Sequence, residues 1–342
     1  MNAATRAELR AAVEPFESSN LALCVYQIAT SIGFYLATLS LMYWSLHVSY
    51  VLTLLLAVPA AAFEVRTFIV QHDCGHGSFF KSKRANDLLG TFCGVLTLAP
   101  YALWRRQHAQ HHANWNNLDR RDSGVDIYST CLTVDEYRAL SPWQMFLYRL
   151  PRHPFVAHVI FPPLVFLLLY RVPFDSPKDW IAERRSVWGN NVAILATWGV
   201  LAVFFGIKGV LMVQLPIVII STIVGVWLFS VQHRFEGASW ARREEWNLAD
   251  AALKGSSYLT LPAVLHWATG NIAYHHIHHL SVRVPNYRLA DCHRSSGLLR
   301  PETPLSLGRA FSANGLGLWD EAQSKLVRFR DAAKASPYLE VT

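Results

Sequence analysis

Apolar residues gather first into two long stretches, Leu21 to Leu46 and Tyr50 to about Val70, separated by a short turn around His47 and Ser49. Each is long enough to cross a bilayer once as a helix, which takes about 20 mostly apolar residues. A second pair follows at Val187 to Gly206 and Val210 to Val231, joined at Lys208. Between the pairs, Asp87 to Trp104 and Phe155 to Tyr170 are apolar but short or broken. Pro100 ends the first, and Pro162-Pro163 interrupts the second. Segments of this kind are expected to be interfacial or re-entrant. From Gln232 onward the chain is mostly polar, apart from Tyr258 to Ala273. No barrel-like alternation is visible, so helices are the expected spanning form. The pattern predicts one all-α integral-membrane domain over residues 1–342, with four transmembrane helices (21–46, 50–70, 187–206, 210–231) in two hairpins. Residues 1–20, 71–186 and 232–342 then form a cytoplasmic helical cap. Glu64 and Arg66 sit two apart near the end of the second stretch, marking either the exit from hydrocarbon or a buried site.

Composition agrees with a membrane domain: 52% of the 342 residues are hydrophobic and 16% charged. The distribution of basic residues adds orientation. Residues 71–186 hold 14 Lys and Arg and residues 232–342 hold 13, whereas the turn near His47 has none and the turn at Lys208 one. Basic loops stay cytoplasmic, so both termini and both large loops are placed there, in the cell membrane. The net charge of +7 is modest and lies against the membrane, which argues against nucleic acid as a partner. Five cysteines without CxxC spacing indicate reduced thiols. Residues 1–20 lack the basic, apolar and cleavage regions of a signal peptide and read as an amphipathic lead-in.

Candidate chemistry lies in the histidines. His72-Asp73-Cys74-Gly75-His76 follows the second apolar stretch and puts two imidazoles at i, i+4. His108-Ala109-Gln110-His111-His112 and His275-His276-Ile277-His278-His279 each put three at i, i+3, i+4, on one helical face. His276 points elsewhere. Converging neutral imidazoles bury nitrogens that need partners and make good metal ligands. All eight fall on the predicted cytoplasmic side. His233, just past the fourth stretch, is by spacing alone equally a ninth ligand or a lone interfacial histidine. Eight or nine imidazoles exceed what one ion uses, since zinc saturates at four. Two ions with open positions fit the count, and nitrogen ligation suits iron handling dioxygen better than magnesium or calcium. No Glu-x-x-His occurs, so the site is not the carboxylate-rich kind of soluble di-iron bundles.

The three boxes, in this order around two hairpins, resemble the integral-membrane fatty acid desaturases. Further segments resemble the bacterial acyl-lipid branch: Asn117-Leu-Asp-Arg-Arg121, Arg152-His-Pro-Phe155, Gln232-His-Arg-Phe-Glu236, Gly255-Ser-Ser-Tyr258 and Gly270 to Leu280. The resemblance implies O2-dependent removal of two hydrogens from adjacent methylenes of a lipid-held acyl chain, leaving a cis double bond and two waters. It implies two iron ions (Fe2+/Fe3+), with O2 as co-substrate and His233 as the ninth ligand. Asp73, Asp119, Asp122, Glu236 and Asp291 are candidates for fixing imidazole tautomers. Asn271, four residues before His275, is placed on its helical face as a possible water carrier or helix cap. Trp104, Trp115 and Trp267 are candidates for a tunnel wall or an interfacial belt. No flavin or nicotinamide fingerprint is present, so electrons must come from a separate donor such as ferredoxin. A hydroxylase or ketolase acting on a lipid, sterol or carotenoid would carry the same boxes. A metal transporter or haem electron carrier would instead place histidines within the spans, and 21–46 and 187–206 contain none.

Overall fold

The computed structural model describes residues 3–121, 130–301 and 304–332. A short helix α1 (Ala3–Val13) leads into α2 (Leu21–Ser45), whose start is capped by Asn20 accepting the amide of Leu23. After a tight turn, α3 (Tyr50–His76) runs on without a break from the second apolar stretch through the first histidine box. Gly77, at φ 70°, ends it in the left-handed conformation that favours glycine. Helices α4 (Lys83–Leu96) and α5 (Tyr101–Asn114) meet at 104°, and α6 (Pro142–Arg149) with its extension to Arg152 meets α7 (Val156–Arg171) at 50°. These bent pairs occupy the two regions expected to be re-entrant or interfacial.

Residues Ile181–His233 form α8, which is interrupted at Gly206 (φ 69°, ψ 159°). A straight helix of this length would separate Ile194 and Val218 by about 36 Å at 1.5 Å per residue. Both instead pack in one cluster around Leu98. The chain therefore folds back on itself at Gly206, two residues before the predicted turn at Lys208. Glycine alone takes those angles without strain, and so the break falls there rather than at the polar residue. Leu21–Ser45, Tyr50–His76 and Ile181–His233 are the helices long and apolar enough to cross a membrane among the described residues. Their outward side chains, such as Leu55, Leu195 and Val203, are apolar and exposed, as a lipid-facing surface requires. Inside, Ala57, Ala60 and Ala61 of α3 let it approach Tyr35 and Met42 of α2 and Val213 and Ile217 of α8.

The expected all-α fold needs one correction. Strands β1 (Leu132–Thr133), β2 (Leu316–Asp320) and β3 (Lys325–Arg328) form a small sheet in the order β1-β2-β3, parallel then antiparallel. Two to five residues per strand leave too little alternation to read from sequence. The sheet joins the loop after the second box to the C-terminal region. Further along, α9 (Leu248–Gly255), α10 (His275–Leu280) and α11 (Asn286–Ser295) complete the polar side. The five cysteines are free and buried.

Candidate metal centre

Each histidine cluster sits where a helix ends or turns. His72 and His76 occupy the last turns of α3, and His233 closes α8. His108, His111 and His112 end α5, and His275, His278 and His279 make up most of the short α10. The nine imidazoles meet in two adjacent groups. One contains His72, His76, His108, His112 and His278; the other contains His111, His233, His275 and His279, and within each the candidate ligand atoms lie within 4.8 Å of one another. The third box therefore does not converge on one point as the shared helical face led us to expect. The second and third boxes each give an i, i+4 pair to one group and the i+3 histidine to the other, in opposite senses. A helical face is wide enough to straddle two centres this close: the rings of His112 and His279, from different groups, stack at 4.2 Å.

The nitrogens are arranged as metal ligands rather than as hydrogen-bond partners. His112 Nε2 lies 3.1 Å from His108 Nε2 and 3.0 Å from His278 Nε2. His275 Nε2 likewise lies 3.0 Å from the Nε2 atoms of both His233 and His279. One imidazole nitrogen has a single proton or a single lone pair, so it cannot serve two such partners. Two bonds of about 2.1 Å meeting at right angles on one ion put their nitrogens about 3 Å apart. His76 Nε2, buried without a hydrogen-bond partner, is a further nitrogen that a metal ion would satisfy. Burial first, then the neighbouring imidazoles, hold His275, His278 and His279 well below the usual histidine range. They stay neutral, the form that binds metal. Trp104 stacks on His108 with ring centroids 4.6 Å apart, and Trp115 packs on His233 at 3.8 Å. A Cβ at Gly75 would come within 2.9 Å of the Trp104 ring, so glycine is what lets α3 and α5 close on each other here.

The carboxylates separate sharply. Asp73, buried, faces His72 Nδ1 at 3.1 Å, an arrangement that would leave Nε2 for a metal ion. Asp119 instead pairs with Arg242 at 2.8 Å and accepts the amide of Arg243 at the surface. Glu236 is exposed and reaches Arg309 at 3.8 Å. Asp291 pairs with Arg294. Closeness in sequence did not bring these three to the imidazoles, and Asp122 lies outside the described residues. Asn271 is not on the helix of His275, because the backbone turns left-handed there (φ 59°) and α10 begins only at His275. Its amide donates to the carbonyl of Asn286 at 3.3 Å.

His72, His108, His111 and His275 open onto a cavity of 370 Å³ whose wall is mainly apolar and aromatic, including Phe68, Trp104, Phe166 and Phe229. Glu64 also lines it, so this carboxyl belongs to an interior site rather than to the membrane exit. Arg66 is buried on another side, over the ring of Trp267, which is therefore not a wall residue.

The architecture is that of a membrane protein whose helices bring two histidine groups to the wall of one apolar cavity. The sequence pattern of the fatty acid desaturases matches residues 21–306, and the chain belongs to that family, as an oxidoreductase acting on fatty acids. It is 45% identical over 290 residues to a fatty acid desaturase of Bacillus subtilis (strain 168), covering 85% of this chain and 81% of that one. A Synechocystis sn-1 acyl-lipid omega-3 desaturase (ferredoxin) is 28% identical, covering 65% of this chain and 61% of its own length. An oleoyl-12-hydroxylase of Ricinus communis is 26% identical, covering 94% of this chain and 86% of its own. The bacterial branch indicated by the motifs fits these similarities.

Proposed function

We propose that the protein is an O2-dependent desaturase that places a cis double bond in acyl chains of membrane lipids, with iron at both histidine groups. The observation that carries this reading is the shared wall: two histidines of each group border one apolar cavity. Iron there would supply, with O2 and two electrons, the oxidising power that inert C–H bonds demand. The protein's own part is position. An acyl chain that leaves lipid for an apolar cavity gains little from the hydrophobic effect, so packing against Phe68, Phe166 and Phe229 is what holds it. Reaction needs the target methylenes within about 3–3.5 Å of the reacting centre, and the aromatic wall keeps bulk water away from it. Asp73 holds the His72 ring in one tautomer.

Four membrane crossings, counting the two arms of α8, with both termini cytoplasmic, are supported by the fold-back at Gly206 and by the basic loops. The electron donor is proposed to be a ferredoxin, a reading supported by the name of the Synechocystis relative. A hydroxylase remains the rival, since the Ricinus relative bears that activity in its name. Expression in a host without such enzymes, followed by location of double bonds in its lipids, decides between them. A new double bond without added oxygen is expected; hydroxylated lipid with no new double bond would sink the desaturase reading. Purified protein should carry two irons and show no Soret band.

A further inference from the structure

Asp73 has a second side. Its Oδ2 accepts the backbone N–H of Asn286 at 2.6 Å and the side-chain Nδ2 of the same residue at 2.8 Å. Asn286 is the first residue of α11, so the carboxylate also sits at the positive end of a helix. Asn286 Oδ1 accepts from Gln27 Nε2 at 2.9 Å, and Gln27 Oε1 accepts from Arg66 Nη2 at 3.3 Å. Arg66 is held in turn by Thr30 Oγ1 at 3.2 Å and by the carbonyl of Trp267. The next residue, Tyr287, receives the Asn20 amide and donates to the carbonyl of Phe79, which fastens the start of α11 to the start of α2 and the turn after α3.

The polarity of this chain is fixed from both ends. A carboxylate only accepts, so Asn286 must turn its NH2 toward Asp73. A guanidinium only donates, so Gln27 must turn its oxygen toward Arg66. The bond left in the middle, Gln27 N–H to Asn286 oxygen, then closes with the right sense. His72, Asp73, Asn286, Gln27 and Arg66 are all buried, none more than 5% exposed. Buried charges add little stability of their own, and this pair is joined only through two neutral amides.

We infer that Asn286 is a positioning residue for the metal site, aligning Asp73 on His72 under the control of Gln27 and Arg66. The first membrane helix is then part of the metal site's support as well as an anchor. This inference rests on His72 being an iron ligand. Only the first histidine group contains His72, so only one of the two ions should feel the relay.

The test is the rate at which iron leaves the full-length, iron-loaded protein to a chelator, with iron per chain counted throughout. Asn286→Asp is nearly isosteric and keeps the acceptor for Gln27, but turns a like charge toward Asp73. It should release one iron roughly 10–100-fold faster than wild type and the other at the wild-type rate. Asn286→Ala should do the same. Combining Asn286→Ala with Asp73→Asn should be no worse than Asp73→Asn alone, because the two act through one contact. Unchanged release in both Asn286 variants, equal acceleration of both irons, or additive effects would overturn the inference while leaving the two-iron reading standing. A wild-type protein that binds no iron would overturn both.

Discussion

His276 and His278 are two residues apart, and the structure gives them different employment. His278 joins the first histidine group, whereas His276 turns away and places its Nε2 2.9 Å from the carbonyl of Leu299 and 3.2 Å from His293 Nδ1. His278→Ala is expected to abolish activity in a protein that still inserts. His276→Ala should keep both irons and a substantial part of the activity, yet lose about 1–3 kcal/mol of stability from the abandoned Leu299 carbonyl. Iron per chain and thermal unfolding of the two variants check this. Burial, with His293 beside it, pulls His276 from its ordinary 6.5 down to about 3. The unfolded chain therefore takes up a proton near pH 6.5 that the folded one refuses until about 3. Stability should fall as pH drops through that window and stay level above it. The thermal midpoint of iron-free protein at pH 5 against pH 7.5 sums this loss with that of the other buried imidazoles, and His276→Gln should shrink it by the share of His276. At this scale the eight box histidines were legible because i, i+3, i+4 spacing is itself geometry. Asn286 and Gln27 were not: single amides carry no periodic signal, and the contact joins residues 259 apart.

Helices were legible as apolar runs, and their ends less so. Polarity pointed to Lys208 as the turn of the second hairpin, but backbone angles decide, and they select Gly206. A Cβ at Gly206 meets nothing within 4 Å, so any penalty for adding one is conformational rather than steric. Gly206→Ala is expected to cost roughly 1–3 kcal/mol, read as denaturant unfolding in detergent micelles, with iron per folded chain unchanged. The second and third boxes were legible as same-face triplets but not as divided between two centres. Spacing places side chains on a face; only the meeting of α5 and α10 decides which group each one joins.

At the scale of the molecule, hydropathy gave the membrane class and basic loops gave an orientation, but neither could reveal the cavity. It is assembled from α3, α5, α7, α8 and the start of α10, and its wall residues are scattered from Glu64 to His275. Gly225 borders it with open space where a Cβ would stand. Gly225→Leu should therefore fill part of the acyl path without disturbing the packing behind it. The expected outcome is a shift toward shorter chains or a displaced double bond among the products, with iron content unaltered. Lipid analysis of cells expressing the variant would show it, and an unchanged product profile would mean the acyl chain runs elsewhere.

The uneven sharing of histidines between the centres also sets a timetable. Synthesis proceeds from His72 toward His279, so a chain grown just past His233 already owns four of the five imidazoles of the first group and two of the four of the second. The last three emerge together within little more than one helical turn. On the proposed two-iron reading, the first pocket would be able to capture an ion while the ribosome is still at work, and the second would wait for the final box. A chain stopped before Gly270 should insert and retain at most one iron per molecule, a newborn enzyme half furnished with metal.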